Sequence, residues 1–276
     1  MQLRCAGRVV ELDPPVVMGV INVTPDSFSD GGAFLEPDAA LAQAEQMAAQ
    51  GAAIIDIGGE STRPGAAPVT SEEELRRVLP VVERVAARLP LLISVDTSNP
   101  ELMRRAAAAG AHLINDVRAL RSPGALEAVA AGTLGVCLMH MQGEPATMQL
   151  APHYQNVVEE VKEYLAERLY RCAAAGIARE RLCVDPGFGF GKLLAHNLQL
   201  LRDLAQFERL GVPLAVGLSR KSMVAALGGR ANERLAGSLA LATVAVLHGA
   251  SIVRAHDVAP TVDAVRIAST VRQQRS

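Results

Sequence analysis

The chain has 276 residues, of which half are hydrophobic, and its 29 acidic and 27 basic side chains give a formal net charge of −2 at pH 7. A chain of this length can bury a large core, so we predict a single domain spanning residues 1–276. The balanced charge argues against a nonspecific nucleic-acid binder, which needs a basic face. Five Phe, three Tyr and no Trp are too few for a base-stacking surface.

The sequence also argues against secretion and membrane insertion. The N-terminal segment MQLRCAGRVVELDPP lacks the apolar stretch of a signal peptide. The longest apolar segment, near residues 239–247, is much shorter than the roughly 20 residues that cross a bilayer. Four cysteines occur without metal-ligand spacing, which is typical of reduced core thiols: Cys5, Cys137, Cys172 and Cys183. We therefore expect a cytoplasmic protein with no membrane partner.

Eight short aliphatic runs alternate with Ala- and Leu-rich helical stretches along the chain. The runs lack polar alternation, which indicates strands buried on both faces of a parallel sheet. They span residues 17–21, 53–57, 91–96, 112–116, 134–139, 181–185, 213–217 and 251–257. Asn99 with Pro100 predicts one helix start, and Ser71 with Glu74 has the spacing of a capping box at another. The pattern predicts one α/β-class (β/α)₈ TIM barrel, with an open doubly wound sheet as the alternative.

Polar side chains stand at the end of every predicted strand. In a barrel, the carboxyl ends of the strands meet at one mouth, and that mouth carries the active site. The residues at these positions are Asn22, Glu60, Asp96, Asn115, His140, Asp185, the segment Ser219–Lys221, and Arg254 with His256. Each position alone is weak evidence, because loops are generally polar.

Two chemistries can be separated within this set. Asp96, Asn115 and Asp185 are acceptors that suit the paired N–H groups of a guanidine-like heterocycle edge, although the two aspartates could instead cap the helices that follow. The remaining side chains resemble an anion site, because barrels often bind phosphate after strands seven and eight. That second set is Asn22, Arg63, Lys221, Arg254 and His256. The alternative for each cation is a surface salt bridge, above all for Arg220.

Two short motifs do not support the enzymes that they suggest. GFGFGK at residues 187–192 lacks the glycine spacing of a phosphate-binding P-loop, and Leu193 stands where that loop needs Ser or Thr. GLSRK at residues 217–221 begins like a nucleophile elbow, but Lys221 occupies the position of the final glycine. A P-loop enzyme and a Ser-His-Asp hydrolase are therefore not supported.

Two long loops follow predicted strands, at residues 22–32 and 58–66. Both mix hydroxyl groups with Gly and Pro and are too long for tight turns. They could close over a reacting centre and exclude water, or they could be disordered surface insertions.

The chain resembles the dihydropteroate synthase family over nearly its whole length. The matching segments occur in order, and together they are highly specific. They are MGVINVTPDSFSDGG (18–32), IDIGGESTRPGA (55–66), SVDT (94–97), INDV (114–117), DPGFGFGK (185–192), SRKS (219–222), AGSLA (236–240) and VRAHDV (253–258).

The resemblance implies a cytoplasmic, homodimeric, Mg²⁺-dependent transferase of folate biosynthesis, the target of sulfonamides. It implies condensation of (7,8-dihydropterin-6-yl)methyl diphosphate with 4-aminobenzoate, which gives 7,8-dihydropteroate and diphosphate. Diphosphate would leave first, and the aniline nitrogen would capture a pterin-stabilised carbocation. The alternatives are a pterin-binding paralogue without turnover and a corrinoid-linked pterin methyltransferase barrel.

The resemblance also implies residue roles. The pterin would be held by Asp96, Asn115, Asp185 and Lys221. The diphosphate would be held by Asn22, Thr62, Arg63, Arg254 and His256, with Asn22 also binding Mg²⁺ and the three basic side chains neutralising the leaving group. The 4-aminobenzoate would be framed by Thr62, Arg63, Pro64, Phe190, Lys221 and Ser222. The residues expected to carry catalysis are Asn22, Arg63, Asp185, Lys221, Arg254 and His256.

Overall fold

The computed structural model describes residues 1–23, 37–60, 69–227 and 234–274. Its strands are β1 (Gln2–Cys5), β2 (Arg8–Glu11), β3 (Val16–Asn22), β4 (Ile54–Gly58), β5 (Leu92–Asp96), β6 (Leu113–Asp116), β7 (Gly135–Met139), β8 (Leu182–Asp185), β9 (Ala215–Gly217) and β10 (Ile252–Ala255). Its α-helices are α1 (Pro37–Ala49), α2 (Ser71–Arg88), α3 (Pro100–Ala108), α4 (Ala125–Ala130), α5 (Val157–Ala174), α6 (Leu194–Arg202), α7 (Ser222–Ala226), α8 (Leu235–Leu247) and α9 (Val258–Gln273). Two 3₁₀ helices span Arg179–Arg181 and Leu204–Leu210.

The eight parallel strands from β3 to β10 form the predicted barrel. They pair in the order β8-β7-β6-β5-β4-β3-β10-β9. The two ends of this sheet also meet, because Val184 of β8 bridges Leu214, next to β9, in parallel. That contact excludes the open doubly wound sheet. All eight strands lie within the aliphatic runs predicted from the sequence, to within a residue or two at most ends.

The N-terminal hairpin was not predicted from the sequence, and it closes the bottom of the barrel. Strands β1 and β2 pair antiparallel. Their alternate side chains are buried against the lowest interior layer of the barrel. The packed residues are Leu3, Cys5, Val10 and Leu12 from the hairpin, and Met18, Ile54, Leu92, Leu113, Cys137, Cys183, Ala215 and Ile252 from the strands. The barrel is therefore apolar at the end opposite to the predicted site.

One predicted helix start is correct and one is wrong. Asn99 caps α3 as expected, with its side chain accepting from the backbone N–H of Glu101 at 3.0 Å. At α2 the N-cap is Thr70, not Ser71, and it accepts from the backbone N–H of Glu73 at 3.3 Å. Glu74 does not form a capping box, because it is buried instead and accepts from the Thr97 hydroxyl at 2.6 Å.

Two further expectations can be compared with the described residues. The four cysteines are all free and buried, as predicted for core thiols. Within the described ranges, no helix combines the length and the apolar character needed to span a membrane.

The hairpin packing gives a test of the fold. Replacing the fully buried Leu3 with Ala should lower the free energy of unfolding by about 2–5 kcal/mol, because a cavity opens beneath the barrel. Val9 lies on the same hairpin but is 50% exposed, so Val9→Ala should cost less than about 0.5 kcal/mol. Urea unfolding followed by circular dichroism measures both. Equal losses in the two variants would contradict the packing of the hairpin against the barrel.

Candidate active site

A pocket lies at the carboxyl ends of the strands. Its lining combines three acceptor residues with two cations and a set of apolar walls. The lining residues are Asp96, Asn115, Val117, Met139, Asp185, Phe188, Phe190, Gly217, Lys221 and Arg254. The structure therefore brings the acceptor cluster and two members of the predicted anion set into one cavity.

Arg254 organises the floor of this pocket. Its Nε donates to Asp56 Oδ2 at 2.6 Å, and its Nη2 donates to Asp96 Oδ2 at 2.7 Å. Asn115 Nδ2 donates to the same oxygen of Asp56 at 3.1 Å. These contacts join β4, β5, β6 and β10 through side chains that point into the barrel. Arg254 thus belongs structurally to the acceptor cluster as well as to the predicted anion site.

Burial shifts the pKa values of these groups. Desolvation, together with neighbouring carboxylates, raises the pKa of Asp96 to about 7, although Arg254 opposes the shift. Burial also raises the pKa of Asp185, against the effects of the Gly187 backbone N–H and of Lys221. Burial disfavours the charge of Arg254, but the nearby Asp56 and Asp96 outweigh it and raise its pKa.

Lys221 and Arg220 are neighbours in sequence that face in different directions. Lys221 lies in the pocket with its Nζ 4.1 Å from the centroid of the Phe190 ring. Burial, followed by repulsion from Arg254, lowers the pKa of Lys221 to about 8. Arg220 has a positive φ of 57° and forms an exposed salt bridge with Asp257 at 2.5 Å. The salt-bridge alternative is therefore correct for Arg220.

Ser219 positions His256 at the rim. The Ser219 hydroxyl oxygen lies 3.2 Å from the backbone N of His256, which donates to it, and 3.1 Å from the ring Nδ1. Burial and the positive charges of Arg254 and Arg220 lower the pKa of His256 to about 4. The imidazole is therefore neutral at pH 7. This differs from the sequence-based expectation, in which His256 was one of three side chains neutralising the leaving group.

The segment 187–192 forms a rigid wall, and Lys192 holds it. The buried Lys192 Nζ donates to the backbone oxygens of Gly187 at 2.9 Å and Phe190 at 3.0 Å. It also lies 2.9 Å from Nδ1 of His140. Gly187 has a φ of +71°, and a Cβ there would lie 1.9 Å from the backbone oxygen of His140. This packing explains why the segment needs glycines although it is no P-loop.

Burial also lowers the pKa values of Lys192 and His140. It lowers the pKa of Lys192 to about 7, and it lowers that of His140 to about 2, with Lys192 contributing. His140 therefore accepts a hydrogen bond as a neutral ring. It was predicted at the mouth, but it lies beneath the wall, where its ring meets Tyr164 edge-on at a centroid distance of 4.9 Å.

The other predicted site residues fall into two groups. Asn22 ends β3 and is half-buried, and Ser222 begins α7 and is exposed. Thr62, Arg63 and Pro64 lie outside the described residues. So does most of each of the two predicted loops, at residues 24–32 and 61–66.

Sequence reasoning missed Asp56 and misjudged Lys192. Asp56 lies in the middle of an aliphatic strand, whereas the site residues were predicted from the ends of the strands. A charged residue inside the run IIDIG is itself the signal, because a carboxylate is rarely buried without a partner. Lys192 belongs to the rejected P-loop motif and to the matching segment 185–192, but its hydrogen bonds to the 187–190 backbone cannot be read from the spacing.

The donor set at the mouth limits how a magnesium ion can bind. Among the described residues, no three His, Cys, Asp or Glu side chains are arranged to hold a metal ion. Asn22 fits a different arrangement, in which Mg²⁺ takes one protein oxygen and completes its shell with substrate oxygens and water. An amide oxygen at the end of β3 is a suitable hard ligand for that purpose.

Comparisons with known proteins agree with this geometry. Residues 18–256 match the family described as "Pterin binding enzyme". The dihydropteroate synthase of Escherichia coli (strain K12) is 56% identical over 97% of this chain and 95% of its own length. The crystal structure of the Yersinia pestis dihydropteroate synthase with a sulfonamide drug complex superposes with a TM-score of 0.94 at 51% identity, covering 99% of this chain and all of that one.

A third comparison includes a bound pteroate. The dihydropteroate synthase of Xanthomonas albilineans in complex with 7,8-dihydropteroate superposes with a TM-score of 0.89 at 50% identity, covering 99% of both chains. The family match and the relatives each cover far more than half of the chain. The chain belongs to the dihydropteroate synthase family of pterin-binding transferases.

Proposed function

We propose that this protein joins (7,8-dihydropterin-6-yl)methyl diphosphate to 4-aminobenzoate and releases diphosphate. The observation that carries the proposal is the pocket in which Asp96, Asn115 and Asp185 converge with Lys221 and Arg254. A pterin presents adjacent ring N–H and amino donors, and buried carboxylate and amide oxygens are suitable acceptors for them. The complex of the Xanthomonas albilineans relative with 7,8-dihydropteroate supports the same substrate class.

In the proposed complex, the pterin lies against the floor of the barrel. Asp185 accepts from one donor edge, held in place by the Gly187 backbone N–H, which donates to its Oδ1 at 2.7 Å. Asp96 and Asn115 accept on the neighbouring side, and Lys221 donates. Because Asn115 and Asp185 are buried, their hydrogen bonds to the pterin act in a low dielectric and discriminate strongly between heterocycles.

The diphosphate would lie above this floor, between β3 and β10. Arg254 supplies a permanent positive charge, and we assign Arg63 and Thr62 to the same anion. The Ser219 hydroxyl accepts from the His256 backbone, so its own proton can go to Nδ1. His256 Nε2–H would then donate to the anion from a neutral ring. We propose that Asn22 binds Mg²⁺, which when present would offset charge on the departing diphosphate.

The reaction exchanges one bond for another at the methylene carbon. The C–O bond breaks and its electron pair leaves with the diphosphate. Positive charge then spreads into the pterin, where Asp96 and Asp185 stabilise it electrostatically. The aniline nitrogen of 4-aminobenzoate forms the C–N bond with its lone pair and afterwards loses a proton. We assign Phe190, Lys221 and Ser222, with Thr62, Arg63 and Pro64, to the aminobenzoate, because Phe190 offers a ring face beside Lys221.

A coupled diphosphate-release assay tests the activity and its residue roles. The purified protein with both substrates and Mg²⁺ should release diphosphate, and removal of Mg²⁺ with EDTA should reduce the rate. Asp185→Asn and Lys221→Ala should each weaken pterin binding by about 10- to 100-fold, since each loses a charge-assisted bond. Lys162→Ala, which removes a salt bridge to Glu159 within α5, is the matched control. Wild-type protein that releases no diphosphate would refute the proposed function.

The raised pKa of Asp96 predicts a pH dependence. Below pH 7 the carboxyl group is protonated and cannot stabilise positive charge, so kcat/KM for the pterin diphosphate should fall as pH falls. For a group with a pKa of about 7, the ionised fraction changes by about tenfold between pH 6 and pH 8. The Asp96→Asn variant should be slower and should lack this step. An unchanged step in that variant would assign the titration to another group.

We also propose that the protein forms a homodimer through α8 and α9. Helix α8 contains no charged residue between Leu235 and Leu247, and its outer side is apolar, with Val244 37% exposed. On α9, Ile267 is 63% exposed. A helix that is apolar on all sides is normally buried, and a second copy of the chain offers an identical uncharged surface.

The dimer can be tested by size-exclusion chromatography with light scattering. Wild-type protein at micromolar concentration should have twice the 29.1 kDa chain mass. Val244→Glu should yield monomers, because it would bury an unpaired carboxylate at the interface. Val9→Glu, on the exposed side of the N-terminal hairpin, should remain dimeric. A Val244→Glu protein that elutes as a dimer would remove α8 from the interface.

A further inference from the structure

Asp56 is a buried carboxylate in the middle of β4. Its neighbours Ile55 and Ile57 face the helices, so Asp56 faces the inside of the barrel, where it is 0% exposed. It lies one layer below Asp96 and above the apolar layer sealed by the hairpin. Taking a carboxylate out of water costs several kcal/mol, so a buried ion pair is a poor device for stability alone.

Both hydrogen bonds that Asp56 accepts are donated by residues that line the pocket. Its Oδ2 accepts from Arg254 Nε at 2.6 Å and from Asn115 Nδ2 at 3.1 Å. Its Oδ1 has no hydrogen-bond partner among the described residues, and neither has the hydroxyl of Ser94, which lies opposite it in β5. The carboxylate therefore binds two residues that line the substrate pocket.

The bond to Asn115 determines which end of that amide serves as an acceptor. An asparagine side chain has a donor end and an acceptor end of nearly equal size, so packing alone does not orient it. Here the nitrogen is committed to Asp56, which can only accept while it is ionised. The oxygen is consequently the end that remains available to a ligand donor.

We propose that Asp56 is a positioning residue that orients the Asn115 amide and the Arg254 guanidinium, and so selects a ligand with a donor edge. The inference rests on the proposed function, since it assigns Asn115 to the pterin. Asp56 itself touches no substrate in this account. It acts through the direction that it imposes on two side chains.

Calorimetry with 6-hydroxymethyl-7,8-dihydropterin measures the affinity of the site for the pterin ring alone, because this probe carries no diphosphate. Asp56→Asn keeps the shape of the side chain but removes its charge and offers a donor as well as an acceptor, so the Asn115 amide is no longer held in one orientation. The affinity for this probe should therefore fall by 10- to 100-fold. In steady-state assays, kcat/KM for the pterin diphosphate should fall similarly. The KM for 4-aminobenzoate should stay within twofold. Ser94→Ala, which removes the opposing buried hydroxyl, should leave the pterin affinity within twofold of wild type.

The double variant that combines Asp56→Asn with Asn115→Asp provides the sharper test. It keeps the number of donors, acceptors and charges, and the amide now on β4 donates to the carboxylate now on β6. Arg254 then loses its bond to position 56 but keeps its bond to Asp96, so the recovery should be partial. The free oxygen at position 115 is then still an acceptor. Pterin affinity should therefore recover at least fivefold relative to Asp56→Asn, which a purely structural role does not predict.

Three results would overturn the inference alone. A folded Asp56→Asn protein that binds the pterin probe within twofold of wild type would show that Asp56 does not position the site. A double variant no better than Asp56→Asn would refute the orientation of the amide, as would a Ser94→Ala variant with an equal loss. Wild-type protein that fails to bind the probe would instead refute the proposed function, and the inference with it.

Discussion

The site depends on one guanidinium held between two carboxylates inside the barrel. Arg254 pairs with Asp56 and Asp96, and Lys221 lies near Asp185, so three acids face two bases in the pocket and in the layer directly below it. If all are ionised, the free pocket carries one excess negative charge. Burial, and after it the neighbouring charge of Asp56, raises the pKa of Asp96, and an excess of acids favours a ligand that brings or develops positive charge. A heterocycle that becomes cationic as its leaving group departs matches this imbalance.

The scaffold keeps these charges in fixed positions and away from water. Beneath them, the hairpin seals the barrel with an apolar layer in which Leu3 and Leu12 are fully buried. Beside them, the Lys192 ammonium holds the backbone that carries Phe190. Because neither support can relax easily, the acceptors are oriented before a ligand arrives, and electrostatic stabilisation then costs little reorganisation.

The sequence predicted the barrel well because buried parallel strands are continuous aliphatic runs and because polar residues end them. It also placed Asp96, Asn115 and Asp185 at one mouth, which the structure confirms. Three features were beyond this reasoning. Asp56 lies inside a strand, the partners of Lys192 could not be read from the spacing, and the hairpin strands are too short for a periodic signal. The hairpin packing and the partners of Lys192 depend on contacts that no local pattern encodes. For Asp56, the charge inside the aliphatic run IIDIG is a local signal, but its partners Arg254 and Asn115 are not.

The two halves of the site are built on different supports. The pterin half rests on strand residues such as Asp185 and Asn115, whose backbones are fixed by the barrel ladder. In the leaving-group half, the described residues supply Arg254, whose charge is already shared by Asp56 and Asp96, and His256, which is neutral at pH 7. These two groups alone cannot balance a diphosphate. The proposed reaction therefore needs further positive charge at this end of the pocket. This need supports the proposal that Arg63 and a bound Mg²⁺ contact the leaving group, and it does not depend on the family resemblance.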